Sequence, residues 1–358
     1  MTKTNDKLNS ISLFSGGMGL DLGLERAGFD IRFVNDTDPA AVETIRANRP
    51  EIPVEDRSAV ELSGHHIMQM AGLSEVDLLT GGPPCQSFST AGKRQSIEDN
   101  ANGPLVFEFL RLVEEIRPRA FVMENVKGIL SAPLKLRNLP HNNNVKRIDD
   151  QYGALLNALL RRINDMGYSS QVLELNAADY GVPQSRVRVF VIGFADSGQI
   201  HAPKPAFSKV GDLLHKPWRT IGDAWKDLPT DDSFCAKFSE RKMHYLKMVP
   251  AGKNWRCLPE EIQKESMGRA FFAKGGRTGY WRRLSLNQTS PTILTEPQNA
   301  STSLCHPTED RPISVREAAR IQTFPDEWTF LGRGMQQYRL VGNAVPPLLA
   351  QVVGERVK

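Results

Sequence analysis

Apolar and polar positions follow two rhythms over the first two hundred residues. ISLF at 11–14 is a short apolar run that predicts a strand, followed by a glycine-rich turn, SGGMG. LDLGLERAG then runs at helical spacing into a second strand, IRFVN. AAVETIRAN, after Pro39, predicts a helix, and VDLLTGG at 76–82 predicts a strand stopped by turn residues. FEFLRLVEEIRP at 107–118 has helical spacing, and AFVMEN at 120–125 reads as a strand. A helix around 152–166 precedes the strands SSQVLELN and VRVFVIGF. Strands alternating with helices imply an α/β fold of Rossmann-like type, with a mostly parallel sheet covered on both faces.

The rhythm stops near residue 200. From there to 311 the chain is rich in Pro, Gly and polar residues, with short apolar runs such as FFA and TILT. A helical pattern returns in SVREAARIQTF, and a last helix is expected near 347–357. The simplest organisation is one α/β domain in two parts, 1–196 and 312–358, interrupted by a smaller irregular domain at 197–311.

Composition narrows the class. A chain of 358 residues with 40% hydrophobic and 24% charged positions has the make-up of a soluble globular protein. No apolar run approaches the roughly 18 residues of a membrane span, and MTKTNDKLNS lacks the apolar centre of a signal peptide. A cytoplasmic protein with no membrane partner is expected. Cys85, Cys235, Cys257 and Cys305 lie far apart without a CxxC pair, which argues against structural zinc and disulfides. No metal is expected, and all of these cysteines except Cys85 are expected to be small buried hydrophobes.

The net charge of +4 is unevenly placed: residues 200–311 hold 18 Lys+Arg against 12 Asp+Glu, leaving 27 against 29 elsewhere. A basic module inserted in a neutral one suits phosphate binding, although a solvated surface of mixed sign is the plain alternative.

Two local patterns carry chemistry. Phe14-Ser15-Gly16-Gly17-Met18-Gly19 joins a strand to a helix, where glycines let main-chain N–H groups approach a ligand. Asp36, at the end of the second strand, sits where an acid grips ribose hydroxyls in such folds. NAD, FAD, S-adenosylmethionine or a simple tight turn all remain open, with the missing GxGxxG spacing against a dinucleotide. Gly81-Gly82-Pro83-Pro84-Cys85-Gln86-Ser87-Phe88-Ser89 follows directly from a strand. Two prolines fix the main chain ahead of Cys85 and hold it at the cleft edge of the sheet, where a nucleophile is useful.

PPCQSFS with Glu124-Asn125-Val126 downstream resembles the core of the cytosine-C5 DNA methyltransferase family of prokaryotic type. FSGGMG resembles its cofactor turn, and Gln184-Ser185-Arg186-Val187-Arg188 its QxRxR block. Arg316-Glu317-Ala318-Ala319-Arg320-Ile321-Gln322-Thr323-Phe324-Pro325 resembles RExxRxQxFP, and Gly342-Asn343-Ala344-Val345-Pro346-Pro347 resembles GNAVPP. The blocks appear in the family's order from residue 14 to 347.

The resemblance implies base flipping, addition of Cys85 to cytosine C6 and methyl transfer from S-adenosyl-L-methionine to C5. It assigns Glu124 to holding and protonating N3, which requires a carboxyl pKa raised by burial. Arg188 and Arg186, alternating on a strand and so on one face, are expected at the base carbonyl and the glutamate. Around the cofactor it implies Phe14, Gly16, Gly19, Asp36, Asp56, Pro84, Asn343 and Val345. Thr37 stands where the family usually has a large apolar residue, and DRSAVEL around Asp56 matches its acidic adenine motif loosely. Residues 86–104 suit a mobile loop closing on DNA, with Gln86, Ser87, Ser89, Lys93 and Arg94 as contacts. The stretch 133–150 resembles nothing in the family core and reads as a surface insertion.

The resemblance also places a target-recognition domain at 197–311, the segment that charge alone had singled out. Within 237–283 there are 12 Lys+Arg and 4 Asp+Glu. Lys253, Arg256, Arg277, Arg282, Arg283 and Thr292 are its candidates for DNA contact, most of the cations on phosphate and one or two arginines on guanine. Trp255 reads as core. The implied partner is double-stranded DNA, with a separately acting cognate restriction endonuclease if the enzyme belongs to a restriction–modification system, and the chain is expected to act as a monomer. An RNA cytosine-C5 methyltransferase is the nearest alternative, but its CFT motif is missing here. A nucleotide-cofactor oxidoreductase would leave PPCQ, ENV and QSRVR without purpose. A non-catalytic DNA-binding relative would have lost the cysteine or glutamate.

Overall fold

The computed structural model describes residues 7–84, 105–132, 153–196, 198, 200–229, 233–273 and 277–358. The chain forms two compact units. The first holds Met1–Asn176, Val187–Lys204 and Ala350–Lys358; the second holds Ala177–Arg186 and Pro205–Leu349.

The first unit is built on seven strands: β1 (Leu8–Leu13), β2 (Phe29–Asn35), β3 (Val54–Glu55), β4 (Leu78–Gly81), β5 (Ala120–Val126), β6 (Ser169–Asn176) and β7 (Val187–Phe194). Their order across the sheet is β3-β2-β1-β4-β5-β7-β6. The strands from β3 to β5 pair in parallel, while β7 runs antiparallel to both neighbours. The mostly parallel sheet read from the sequence is therefore present, with one reversed strand. Only residues 177–186 separate β6 from β7, fewer than a parallel crossover needs, so reversal is the geometry this length permits.

Unbroken burial along β4 and nearly all of β5 is what a sheet covered on both faces demands. The covering helices are α1 (Gly19–Ala27), α2 (Pro39–Asn48), α3 (Gly64–Ala71), α4 (Leu105–Ile116) and α5 (Ala154–Asp165). Asp38 caps α2 with Pro39 in its first turn, and Ser63 caps α3. Phe33, Phe109 and Phe121 are fully buried between the layers. The nearby Tyr168 satisfies its hydroxyl on the Pro118 carbonyl at 2.7 Å.

The second unit has only short elements: β8 (Phe207–Ser208), β9 (Lys216–Pro217), α6 (Ile221–Trp225), α7 (Glu240–Leu246), α8 (Glu260–Met267), α9 (Val315–Ile321) and α10 (Met335–Asn343). One of its cores gathers Tyr245, Leu246, Trp255, Met267, Trp281 and Cys305. Cys305 is buried and Cys235 is partly so, but Cys257 is exposed, against the expectation for it. In the 3-10 turn Trp255–Cys257 the tryptophan takes the inward position and turns the cysteine outward.

Segments 177–186 and 312–349, which the sequence reading joined to the α/β domain, are compact with the insert. A buried polar network accounts for this. Gln184 Nε2 donates to Gln322 Oε1, and Gln322 Nε2 donates to the Val341 carbonyl. Among the described residues no helix is long and apolar enough to cross a membrane.

Candidate active site

In the first unit the strand order reverses at β1: the chain passes to β2 on one side and later to β4 on the other. Carboxyl ends of strands open a crevice at such a point. Residues 14–18 follow β1 there with an unusual main chain. Phe14, Gly16 and Met18 all have positive φ, at 55°, 52° and 60°. Non-glycine residues in that region carry strain that persists only where surroundings enforce it.

Here the enforcement comes from β2. Ser15 N donates to the Asn35 carbonyl at 3.0 Å, and Gly16 N donates to Asp36 Oδ2 at 2.8 Å. Asp36 Oδ1 accepts from Asp38 N at 2.8 Å. Burial pushes the Asp36 carboxyl above its usual range, against the pull of these N–H groups. Asp56 follows β3, exposed, 3.9 Å from Arg46.

Asp21, which the sequence reading passed over, lies in the first turn of α1 with no exposure at all. Neither carboxylate oxygen has a well-formed hydrogen bond, and burial pushes the group up to about 7, opposed by the neighbouring Ser12 hydroxyl. The folded chain therefore keeps a proton that the unfolded chain releases above about pH 4. That term costs nothing in acid, grows as pH rises and levels off above about 7. Asp21→Asn removes it, so relative to wild type its unfolding free energy should climb between about pH 4 and pH 7, by at most about 4 kcal/mol. A pH-independent difference in urea titrations would contradict this assignment.

Beyond β4 the described chain ends at Pro84, so Cys85, Gln86, Ser87, Ser89, Lys93 and Arg94 lie outside the described residues, as does 133–150. The Pro83 carbonyl accepts from Asn125 Nδ2 at 3.3 Å, which ties this segment to β5. Glu124, the next residue back, is buried. Its Oε1 lies 2.8 Å from Arg188 Nε on β7. Register explains the pairing: Glu124 faces Phe190 and Val126 faces Arg188, which makes Glu124 and Arg188 diagonal neighbours on one face. Arg188 Nη1 donates to the Val187 carbonyl, and burial pulls the guanidinium below its usual range while Glu124 opposes. The other carboxylate oxygen would lie 3.1 Å from a Cβ at Gly82, so a side chain there would press on it.

Arg186 does something else. The strand begins only at Val187, and the Arg186 guanidinium is buried in the second unit. It donates to the carbonyls of Ile293, Gly342, Asn343 and Ala344 at 2.8–3.3 Å. The two guanidinium groups thus lie in different surroundings, and the side-by-side pair expected on one strand face is not formed. Asn343 is exposed at the end of α10, and Val345 is buried two residues on.

The candidate DNA contacts also divide. Arg283 is buried, donating to the Leu246, Val249, His306 and Glu309 carbonyls and pairing with Asp310. It ties the small core together, which corrects its place among the candidates for DNA contact. Arg277 donates to the Ala270 and Phe271 carbonyls and lies over the Trp255 ring, with Arg256 also over that ring. Thr292 donates to the Ser185 carbonyl. Lys253 is exposed, and Arg282 is half-buried.

A family model described as C-5 cytosine-specific DNA methylase matches residues 8–358. The chain belongs to this family. It is 38% identical over 357 residues to the Type II methyltransferase M.PspPI of Psychrobacter sp. (strain TA137), covering 97% of this chain and 78% of that one. To M.Eco47II of Escherichia coli it is 38% identical over 362 residues, with 99% and 79% covered. A crystal structure of a prophage-encoded E. coli chain, assigned as a DNA modification methyltransferase, superposes with a TM-score of 0.66. Identity there is 26%, with 97% of both chains covered. Spodoptera frugiperda DNMT2 gives a TM-score of 0.64 over 98% of this chain and 99% of that one, and at 15% identity it shares the fold.

Family membership makes the chain a DNA (cytosine-5) methyltransferase. The FSGGMG turn, Glu124 and Arg188 all stand in its first unit, at or beside the carboxyl ends of β1 and β5. Among the described residues no group of three or more His, Cys, Asp or Glu side chains could hold a metal ion.

Proposed function

We propose that the chain methylates carbon 5 of cytosine within a short sequence of double-stranded DNA, with Cys85 as nucleophile. Glu124 serves N3 of the base, and Arg188 holds Glu124. The observation that carries this reading is the buried Glu124–Arg188 pair beside the main chain that leads from β4 to Cys85.

The target base must leave the stack, because its neighbours cover C5 and C6 in a duplex. Addition of the Cys85 thiolate at C6 moves ring electrons towards N3. Glu124 gives N3 a proton as that charge builds, which leaves C5 nucleophilic. Once C5 is methylated, solvent takes the C5 proton as the thiolate leaves, and N3 returns its proton to Glu124, which restores the ring.

Loop 14–18 and Asp36 fit S-adenosylmethionine. Gly16 has open space where a Cβ would stand, and Asp36 presents a half-buried carboxylate just past the tip of β2 for ribose hydroxyls. Phe14, Gly16, Gly19, Asp36, Asp56 and Pro84 would hold it, while Asn343 and Val345 rest on the family motif alone. When bound, it supplies the electrophilic methyl group that C5 accepts. Residues 197–311 act as the target-recognition domain between catalytic parts 1–196 and 312–358. The chain works as a monomer in the cytoplasm, on the nucleoid, and where it belongs to a restriction–modification system a cognate endonuclease acts separately.

Bisulfite sequencing of DNA from cells expressing the wild type should show methylcytosine confined to one short motif. Cys85→Ala should abolish it while changing DNA affinity by no more than a few fold. Methylcytosine persisting in that variant, or appearing in RNA and not in DNA, would overturn the reading.

A further inference from the structure

We infer that Arg282 is the residue that reads a guanine of the target sequence, and that it does so through its two terminal nitrogens. This rests on the DNA-methylating function proposed above. Side-chain partners separate the cations of the second unit into classes. Arg283 and Arg277 donate to carbonyls within the unit, and Arg256 is exposed and lies over the Trp255 ring. Arg282 alone among the five candidates is half-buried with its terminal nitrogens uncommitted among the described residues. Its Nε donates to the Thr278 carbonyl at 3.3 Å, which sets the direction of the fork.

That fork lies in a cleft of about 730 Å³ within the second unit. Lys209, Lys253, Asn254, Asn287 and Gln288 also line it, and among the described residues no carboxylate does. An arginine partly withdrawn from water, with no acid to pair with among the described residues, gains when something enters to accept its hydrogen bonds. Burial pulls the Arg282 guanidinium below its usual range, in keeping with that environment.

Two chemistries on DNA fit a fork of donors: a phosphate, or the O6 and N7 acceptors of guanine in the major groove. Phosphate contacts suit exposed, flexible cations, and Lys253 at the same cleft is one. Arg282 is half-buried and its Nε is held by the Thr278 carbonyl, which restrains the plane of its fork. A restrained plane can single out one base edge, whereas a phosphate is alike at every step of the duplex and carries no sequence to read. Gln288 adds an amide over Gly252 on the same wall, 3.0 Å from where a Cβ would stand. The cleft thus offers a planar donor pair and an amide to neighbouring base edges, with Lys253 at the backbone.

The test starts from the motif that bisulfite sequencing defines for the wild type. Duplexes carrying that motif are made with each guanine in turn replaced by 7-deazaguanine, which lacks the N7 acceptor. For the wild type, kcat/KM should fall by about ten- to a hundredfold at one guanine position. In Arg282→Ala and Arg282→Lys, the same replacement should make no difference at that position. Discrimination against the other three base pairs there should fall by a similar factor. Lys253→Ala should instead weaken binding equally on every duplex and reduce the slope of log affinity against log salt by about 0.9. The inference is overturned if no guanine position responds, or if Arg282→Lys, a point charge without a fork, discriminates as the wild type does. A wild type that makes no methylcytosine in DNA fails at the first step, and then the functional reading itself has gone.

Discussion

Glu124→Gln should fold, bind DNA and lose about 10²- to 10⁴-fold in the rate of methylation, the range a positioned acid contributes. Glutamine keeps the shape of the side chain and an acceptor oxygen for Arg188, whose Nε lies 2.8 Å from Glu124 Oε1. It cannot exchange a proton with N3, so the ring is not activated when Cys85 adds. A structural role alone predicts a different pattern, in which stability falls and residual activity follows the folded fraction. Single-turnover rates, taken with a urea midpoint for the same preparation, separate the two. If the rate drops less than tenfold in protein of unchanged stability, Glu124 is not the acid.

Arg186→Ala should act on the fold instead, lowering stability by about 3–5 kcal/mol. Two terminal nitrogens serve the carbonyls of residues 293, 342, 343 and 344 in a site that is 1% exposed. Removing the guanidinium strands those oxygens away from water, at about 1–3 kcal/mol for each left unsatisfied, less what local relaxation recovers. Arg186→Lys should recover little, because one ammonium cannot span a fork's worth of acceptors. Chemical denaturation checks this, and a change within 0.5 kcal/mol would refute the structural role. Arg188, two positions on, predicts the opposite balance: large effects on rate and smaller ones on folding.

The contrast between these neighbours shows where reading a sequence stops. Strand and helix rhythm located β1, β2, β4 and β5, because burial on both faces writes itself into continuous apolar runs. The strand-end position of Phe14 to Gly19 follows from the same local rhythm, whereas Glu124 and Arg188 were singled out by the family motifs, and the structure pairs those two. Arg186 was misjudged because its acceptors come from residues 107 to 158 positions away. Nothing local distinguishes a cation bound for carbonyls from one bound for substrate. Arg283 failed in the same way, through Leu246 and residues near 306–310. Asp21 carried a signal that went unused, an acid inside the apolar stretch GLDLGL. The short α3 and β3 left no rhythm long enough to detect.

Residues 183–186 and 290–293 are stitched together line by line. Ser290 N donates to the Pro183 carbonyl, Ser185 N to that of Ser290, and Ile293 N to Gln184 Oε1. Anyone grafting the recognition segment of one relative onto another at 197 and 311 would set a donor strip from one protein against an acceptor strip from the other. The portable cassette has to stop short of 290, or carry 183–186 along with it. Evolution faces the same seam, so new target sequences should arise by change inside it far more easily than across it.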